Sequence, residues 1–201
     1  TAMYEGYTLF TTLRTDQTFL IDDYGRVCHS WYTDASGGTF QYLLDDGSIL
    51  RNKNVNPEGG APGVQRIAWD GTILWDYTYQ SETVYYHHDM EPLPNGNVLI
   101  LAWEFITDDS AFALGRDPSK LIDTMLWPEH IVEVQPTGPT TGEIVWEWHV
   151  LDHLIQDFDS TKPNYGVVAE HPELIDINYA PIPADDWLHA NSIAYNPELD
   201  Q

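Results

Sequence analysis

The sequence predicts an all-β fold, a β-propeller of four-stranded antiparallel blades. Three observations carry that expectation: a strand-turn-strand unit that recurs, Asp-Gly and Asn-Gly pairs at the turns, and a tryptophan soon after each turn. The unit runs over Phe19–Trp31 around Gly25, over Val64–Trp75 around Asp70-Gly71, and over Ile131–Trp148 around a Pro/Gly/Thr turn. A second hairpin type lies between its copies, at Phe40–Leu50 around Asp46-Gly47 and at His88–Leu101 around Asn95-Gly96. Two hairpins make a four-stranded sheet, and the 44 residues from Trp31 to Trp75 suit one blade. A further hairpin is expected from Ser192, so the 201 residues amount to about three blades and the start of another.

Each part of the unit has a chemical reason. Glycine after Asp or Asn supplies the positive φ that a two-residue hairpin turn requires. Beyond the turn, Ile144, Trp146, Trp148 and Val150 are expected on one face of a strand, and Glu143, Glu147 and His149 on the other. The four tryptophans Trp31, Trp75, Trp146 and Trp148 are expected to fill the space between blades. The 71 residues from Trp75 to Trp146 exceed one unit, which assigns an insertion to about 105–130, and the Pro-, Asp- and Tyr-rich stretch at about 151–187 reads as a second, a structured loop. Short helices are expected inside them, at Ser119–Leu126 after Asp117-Pro118 and at Val150–Asp157. Residues 1–201 read as a single propeller domain, incomplete at its C-terminal side. The remaining blades then come from the same or another chain, a homo-oligomer included.

Asp and Glu number 32 against 8 Lys and Arg, a formal charge of −24. That excess argues against nucleic acid and anionic membrane surfaces as partners, since both require clustered cations. Apolar residues at 42%, with eight Trp and twelve Tyr, separate the chain from disordered acidic tails. No apolar run is long enough to span a bilayer. A carboxylate-rich surface suits a saline exterior, and a secreted or periplasmic location is expected. Cys28 is the single cysteine, which excludes an internal disulfide and a cysteine-based metal site. His87, His88 and Asp89 alternate across a strand, and His149 and His153 lack the glutamate of a zinc-hydrolase motif. No metal and no cofactor is therefore expected. The pairs Asp22-Asp23, Asp45-Asp46, Asp108-Asp109 and Asp185-Asp186 read as solvated turns.

Several stretches share a more specific pattern. They are Tyr7–Phe10, Leu20–Gly25 with Val27–Trp31, His87-His88-Asp89 leading into Leu93–Asn97, Trp146–Leu154, Asp176–Asn178 and Asp186–Ile193. Together they resemble the arylsulfate sulfotransferase family. The specific part is the ordered pair His-His-Asp and Asp-Trp-Leu-His-x-Asn-Ser, about 100 residues apart. The resemblance implies a six-bladed ring with its active site in the central channel. It implies sulfuryl transfer from an aryl sulfate to a phenol through a transiently sulfated histidine, with no nucleotide donor. His88 and His189 match channel histidines of the family that take part in catalysis, binding sulfuryl oxygens or protonating the leaving phenoxide. Imidazole suits both tasks because it changes charge near neutral pH.

Trp187 and Asn191 are expected to bind substrate, with Trp103 a second candidate for stacking a phenol ring. The family's arginine and nucleophilic histidine correspond to positions after Gln201. A regular strand would turn His87 away from His88, so His87 is expected between blades. Two rival readings remain: a non-catalytic extracellular scaffold, and a quinoprotein-like redox propeller resting only on generic Asp-Gly and Trp repeats.

Overall fold

The computed structural model describes residues 5–12, 15–33, 37–53, 62–179 and 182–201. Successive hairpins form three antiparallel meanders. The first contains β1 (Tyr7–Thr11), β2 (Gln17–Asp22) and β3 (Val27–Tyr32). The second contains β4 (Gly37–Leu43), β5 (Ile49–Lys53), β6 (Gly63–Ile67) and β7 (Ile73–Thr78). The third opens with β8 (Val84–Pro92) and β9 (Val98–Glu104), then leaves the sheet through β10 (Ile106–Thr107), helix α1 (Asp108–Ala113) and β11 (Met125–Leu126). It returns as β12 (Glu129–Gly138) and β13 (Thr141–His149), for a sheet order β8-β9-β12-β13. A short parallel pair, β14 (Leu154–Ile155) and β15 (Ile175–Asp176), follows. The chain is all-β with almost no helix. The first strands β1, β4 and β8 lie side by side although they belong to different sheets.

Four tight turns share one construction, and it is not the expected two-residue hairpin. The Leu44 N–H donates to Ser48 O at 2.8 Å and the Gly47 N–H to Leu44 O at 2.9 Å. The same pair of bonds closes Asp22–Arg26, Ala68–Thr72 and Leu93–Asn97. Only the glycine is left-handed, at φ 77°, 81°, 88° and 86° for Gly25, Gly47, Gly71 and Gly96. Each is a type I turn followed by a glycine bulge. The preceding Asp or Asn contributes its side-chain oxygen instead, which accepts the N–H two residues on: Asp46 from Ser48, Asp70 from Thr72, Asn95 from Asn97.

The last hairpin of each sheet carries a bulge at the same place. Register slips at Cys28, Leu74 and Val145, where the outer strand holds one residue more than its partner. Aligned on the bulge, His29, Trp75 and Trp146 are equivalent, as are Trp31, Tyr77 and Trp148. Trp31 is therefore not the counterpart of Trp75. The extra residue also restarts alternation, so Ile144 faces away from Trp146 and the single-face expectation fails there.

Equivalent residues join one sheet to the next. His29 Nε2 meets Trp69 O at 2.7 Å, and Trp75 Nε1 donates to Thr141 O at 3.1 Å. Both acceptors lie at the last hairpin turn of the following sheet. Leu20, Trp31, Ile49 and Ile67 fill the space between the first two sheets, and Leu50, Val64, Met90, Ile100 and Val132 that between the second and third. Trp146, the third equivalent, has no following sheet among the described residues and is 48% exposed. It does not fill an inter-sheet space here.

The insertions share a core of their own, built on Ala111, Leu126, Val150, Leu154, Ile177 and Trp187. The buried Arg116 joins them: Nη2 donates to Lys120 O and Ala184 O at 2.7 Å each, and Nη1 donates to Ile177 O. The expected helix at 119–126 shrinks to one 3-10 turn at Pro118–Lys120. Asp185 draws the next residues out of helical geometry by accepting the N–H groups of Ile122 and Asp123 at 2.8 and 3.0 Å. Val150–His153 is likewise a single 3-10 turn, because Leu154 and Ile155 pair as β14. The helix that does form, α1, is capped by Thr107, whose hydroxyl accepts the Ser110 N–H at 3.3 Å. Asn196 and Gln201 exchange backbone hydrogen bonds, but no strand among the described residues pairs with 192–195, so the expected strand is not formed.

The repeat makes a direct prediction. Trp75→Phe removes a buried indole donor between sheets and should cost about 1 kcal/mol in urea denaturation. Trp146→Phe at the equivalent exposed position should stay within about 0.5 kcal/mol of the parent.

Candidate functional site

Strand β8 pairs Tyr86 with Ala102 and Met90 with Ile100, so four steps on β8 face two on β9. The surplus pushes His87, His88 and Asp89 into a bulge, and His88 takes φ 54°. Left-handed backbone at a non-glycine residue costs about 1–3 kcal/mol and needs support from its surroundings. That support is on the carbonyl of His88, which accepts the Asn52 side-chain amide at 2.9 Å and the Tyr86 hydroxyl at 3.1 Å. The neighbouring Asp89 accepts the Met90 N–H and the Tyr42 hydroxyl on Oδ1, at 2.9 and 3.2 Å. Its Oδ2 accepts the Ile193 N–H at 3.1 Å, tying the bulge to the segment that follows His189.

His189 is left-handed too, at φ 50°. The other non-glycine residues with positive φ among those described are Asn164 and Asp200, types that tolerate this region. The rings of His88 and His189 meet edge to face with centroids 4.8 Å apart. The Asp186 carboxylate holds His189 Nδ1, and the Asn191 side-chain amide donates to His189 O at 3.1 Å.

The bulge also overturns the expectation for His87. Alternation is broken, so His87 Nδ1 lies 3.4 Å from His88 Nδ1, and its ring is 6.1 Å from that of His189. His87 is flat against Trp103 at 3.8 Å, with its Nε2 at 2.9 Å from Glu129 Oε2. The other oxygen of Glu129 accepts the Ala190 N–H at 2.6 Å. One buried carboxylate thus connects His87 to the segment bearing His189. Trp103 is 5.8 Å from His189, and its buried indole N–H has no partner among the described residues.

Burial lowers the pKa of His88 below its ordinary value, and the charges of His87 and His189 lower it further. Glu129 and Asp186 oppose the shift without reversing it. His88 is therefore a neutral imidazole at neutral pH. Burial raises the carboxyl of Asp89 despite its three hydrogen bonds.

Of the residues singled out by the sequence, His88 and His189 are brought together and Asn191 braces the backbone of His189. Trp187 sits elsewhere: it is 7% exposed in the insertion core, with Nε1 donating to Asp176 O at 3.4 Å. Trp103 forms the aromatic wall. Glu129 and Asp186 were not expected at the site. Asp186 belonged to a pair read as solvated, yet both members of Asp185-Asp186 accept hydrogen bonds. Glu129 stands opposite Trp103 in the β9–β12 register, a placement that the expected insertion at 105–130 hides. A cavity of about 630 Å³ at the turn end of the second and third sheets, bordered by Leu44, Trp75, Leu93 and Pro136, shares no residue with this cluster.

A family model described as Arylsulfotransferase (ASST) matches residues 2–201. No curated protein and no solved structure matches the chain.

Two outcomes follow from the geometry. His88→Gly relieves the left-handed backbone and should keep or raise stability by up to about 1 kcal/mol, whereas His88→Val should lose more than about 1 kcal/mol in the same urea titration. The lowered pKa of His88 sets the sign of a pH effect. Below its ordinary value of 6.5 the unfolded chain binds a proton that the folded chain refuses. Stability should be level above that pH and fall as pH drops towards the folded pKa, with a shallower fall in His88→Asn.

Proposed function

This chain belongs to the arylsulfotransferase family, and from that premise we propose that its histidine cluster handles a sulfuryl group passing between phenolic oxygens. Family membership supports arylsulfotransferase-like activity in general, with aryl sulfates and phenols as substrates. The observation that carries the site is the meeting of His88 and His189, both in strained left-handed backbone and 4.8 Å apart.

The chemistry assigns their roles. Sulfur exchanges its bond to the donor oxygen for one to the nucleophilic histidine and then exchanges that for one to the acceptor oxygen; the departing phenoxide takes up a proton, and the acceptor phenol gives one up. Asp186 accepts the Nδ1–H of His189 and orients the ring with Nε2 free, so that its imidazolium form donates Nε2–H to the leaving oxygen and the neutral ring left behind accepts the proton of the acceptor phenol. Neutral His88 and the unpartnered indole N–H of Trp103 supply hydrogen bonds to sulfuryl oxygens. Glu129 and His87 position the two segments, and Asn191 acts through the backbone of His189.

The adjacent first strands β1, β4 and β8 support a propeller arrangement in which they line a central channel. The exposed Trp146, matching the inter-sheet donors His29 and Trp75, supports a further blade against β13. In this reading the rest of the ring comes from the same or another chain and brings the arginine and nucleophilic histidine that the family resemblance implies. The acid surplus fits a secreted or periplasmic setting.

The test is turnover of aryl sulfates with a phenol acceptor. His189→Gln should slow phenyl sulfate about a hundredfold or more, and nitrophenyl sulfate far less, because nitrophenoxide leaves with little need of a proton. An equal loss on both donors defeats the acid assignment. Unchanged rates defeat the site, and a completed ring that neither turns over nor binds aryl sulfate supports the scaffold reading.

A further inference from the structure

On the opposite face of the third sheet, a second cluster joins the ends of three strands. Glu104 ends β9, His130 is the second residue of β12, and His149 ends β13 directly across from His130. Strand alternation makes this face distinct from the histidine site, since Glu104 follows Trp103 and His130 follows Glu129. Glu104, His130 and His149 can each offer one donor atom such that all three lie within 4.8 Å of one another. A fourth group adjoins them: Glu147 Oε2 is 3.3 Å from His130 Nε2 and 3.4 Å from His149 Nε2. Donors around a tetrahedral zinc-class ion, with bonds of about 2.0–2.2 Å, stand roughly 3.4 Å apart.

Glu104 Oε2 and His149 Nδ1 pair at 3.0 Å, but hydrogen bonding otherwise leaves the cluster incomplete. His130 is only 3% exposed, yet its Nδ1 has no partner among the described residues, and neither does the buried Oε1 of Glu104. Ordinary His–Glu pairs would be expected to satisfy such groups, because an unpaired buried polar atom is costly.

We propose that Glu104, His130 and His149, with Glu147 as fourth ligand, bind one divalent transition-metal ion of the zinc class. Two neutral imidazoles and two carboxylates balance its charge and match its borderline softness. The imidazoles are stacked at 4.2 Å, so one ring turns to share the ion. His149, with its side chain 29% exposed against 4% for His130, has the room to do so. The site closes the ends of β9, β12 and β13 and stiffens the strand positions that carry Trp103 and Glu129 on the other face. It revises the expectation of no metal, which rested on local spacing: the donors come from strands far apart in sequence.

The test is calorimetric titration of the chelator-treated chain with zinc chloride, together with its melting temperature with and without the ion. One zinc per chain and a raised melting temperature are expected, with no comparable rise from magnesium, which prefers an all-oxygen shell. Glu104→Gln and His149→Gln should each weaken zinc by more than about a hundredfold, beyond what loss of an outer-sphere partner costs. His171→Gln, in the exposed His171–Glu173 pair, should change nothing. Absence of saturable zinc uptake, an equal response to magnesium, or unchanged affinity in both ligand variants overturns the proposal. A variant that fails to fold is replaced by the melting shift of the parent with zinc against magnesium, which decides the matter without substitution.

Discussion

The candidate site depends on the misfit between β8 and β9. Two surplus residues on β8 cannot enter the ladder, so the strand swells and its backbone turns left-handed at His88. Asn52 makes this tolerable. Its side-chain oxygen accepts the Phe40 N–H at 3.1 Å while its amide donates to His88 O at 2.9 Å. Orienting both ends of the amide lets the second sheet hold the bulge of the third. Gly38 belongs to the same device, because a Cβ there would collide with the Asn52 side chain. The strain is thus offset by hydrogen bonds from a neighbouring sheet rather than by contacts within the site.

Carboxylates then convert the local bulge into a site assembled from distant sequence. Asp89 reaches Ile193 and Glu129 reaches Ala190, each through a backbone N–H. Buried carboxylates are costly unless fully hydrogen-bonded, so these contacts position the 189–193 segment more sharply than apolar packing would. In a chain with a formal charge of −24, most acidic groups are solvated. The few turned inward are the ones that determine where the histidines stand.

Alternation gives the third sheet two different faces from neighbouring residues. Trp103 and Glu129 serve the histidine site, while Glu104 and His130, one residue on, serve the His–Glu cluster. The two chemistries share backbone but no side chain. Stiffening one face therefore bears on the other through the strands themselves.

The repeat was legible in the sequence because turns and pleats are local. Glycine at fixed offsets, alternating apolar residues and returning aromatics follow from steric rules acting over a few residues, and they carry the all-β class and the hairpins. The motifs around His88 and His189 were legible as a pair only through their resemblance to the arylsulfotransferase family. What tertiary structure decided are quantities set by register between strands. The bulges at Cys28, Leu74 and Val145 realigned the repeat, and the bulge at His88 brought His87 to the site. The β9–β12 pairing brought Glu129 opposite Trp103, and burial in the insertion core removed Trp187 from it. A one-residue slip reverses which face a side chain occupies, and nothing local in the sequence records it.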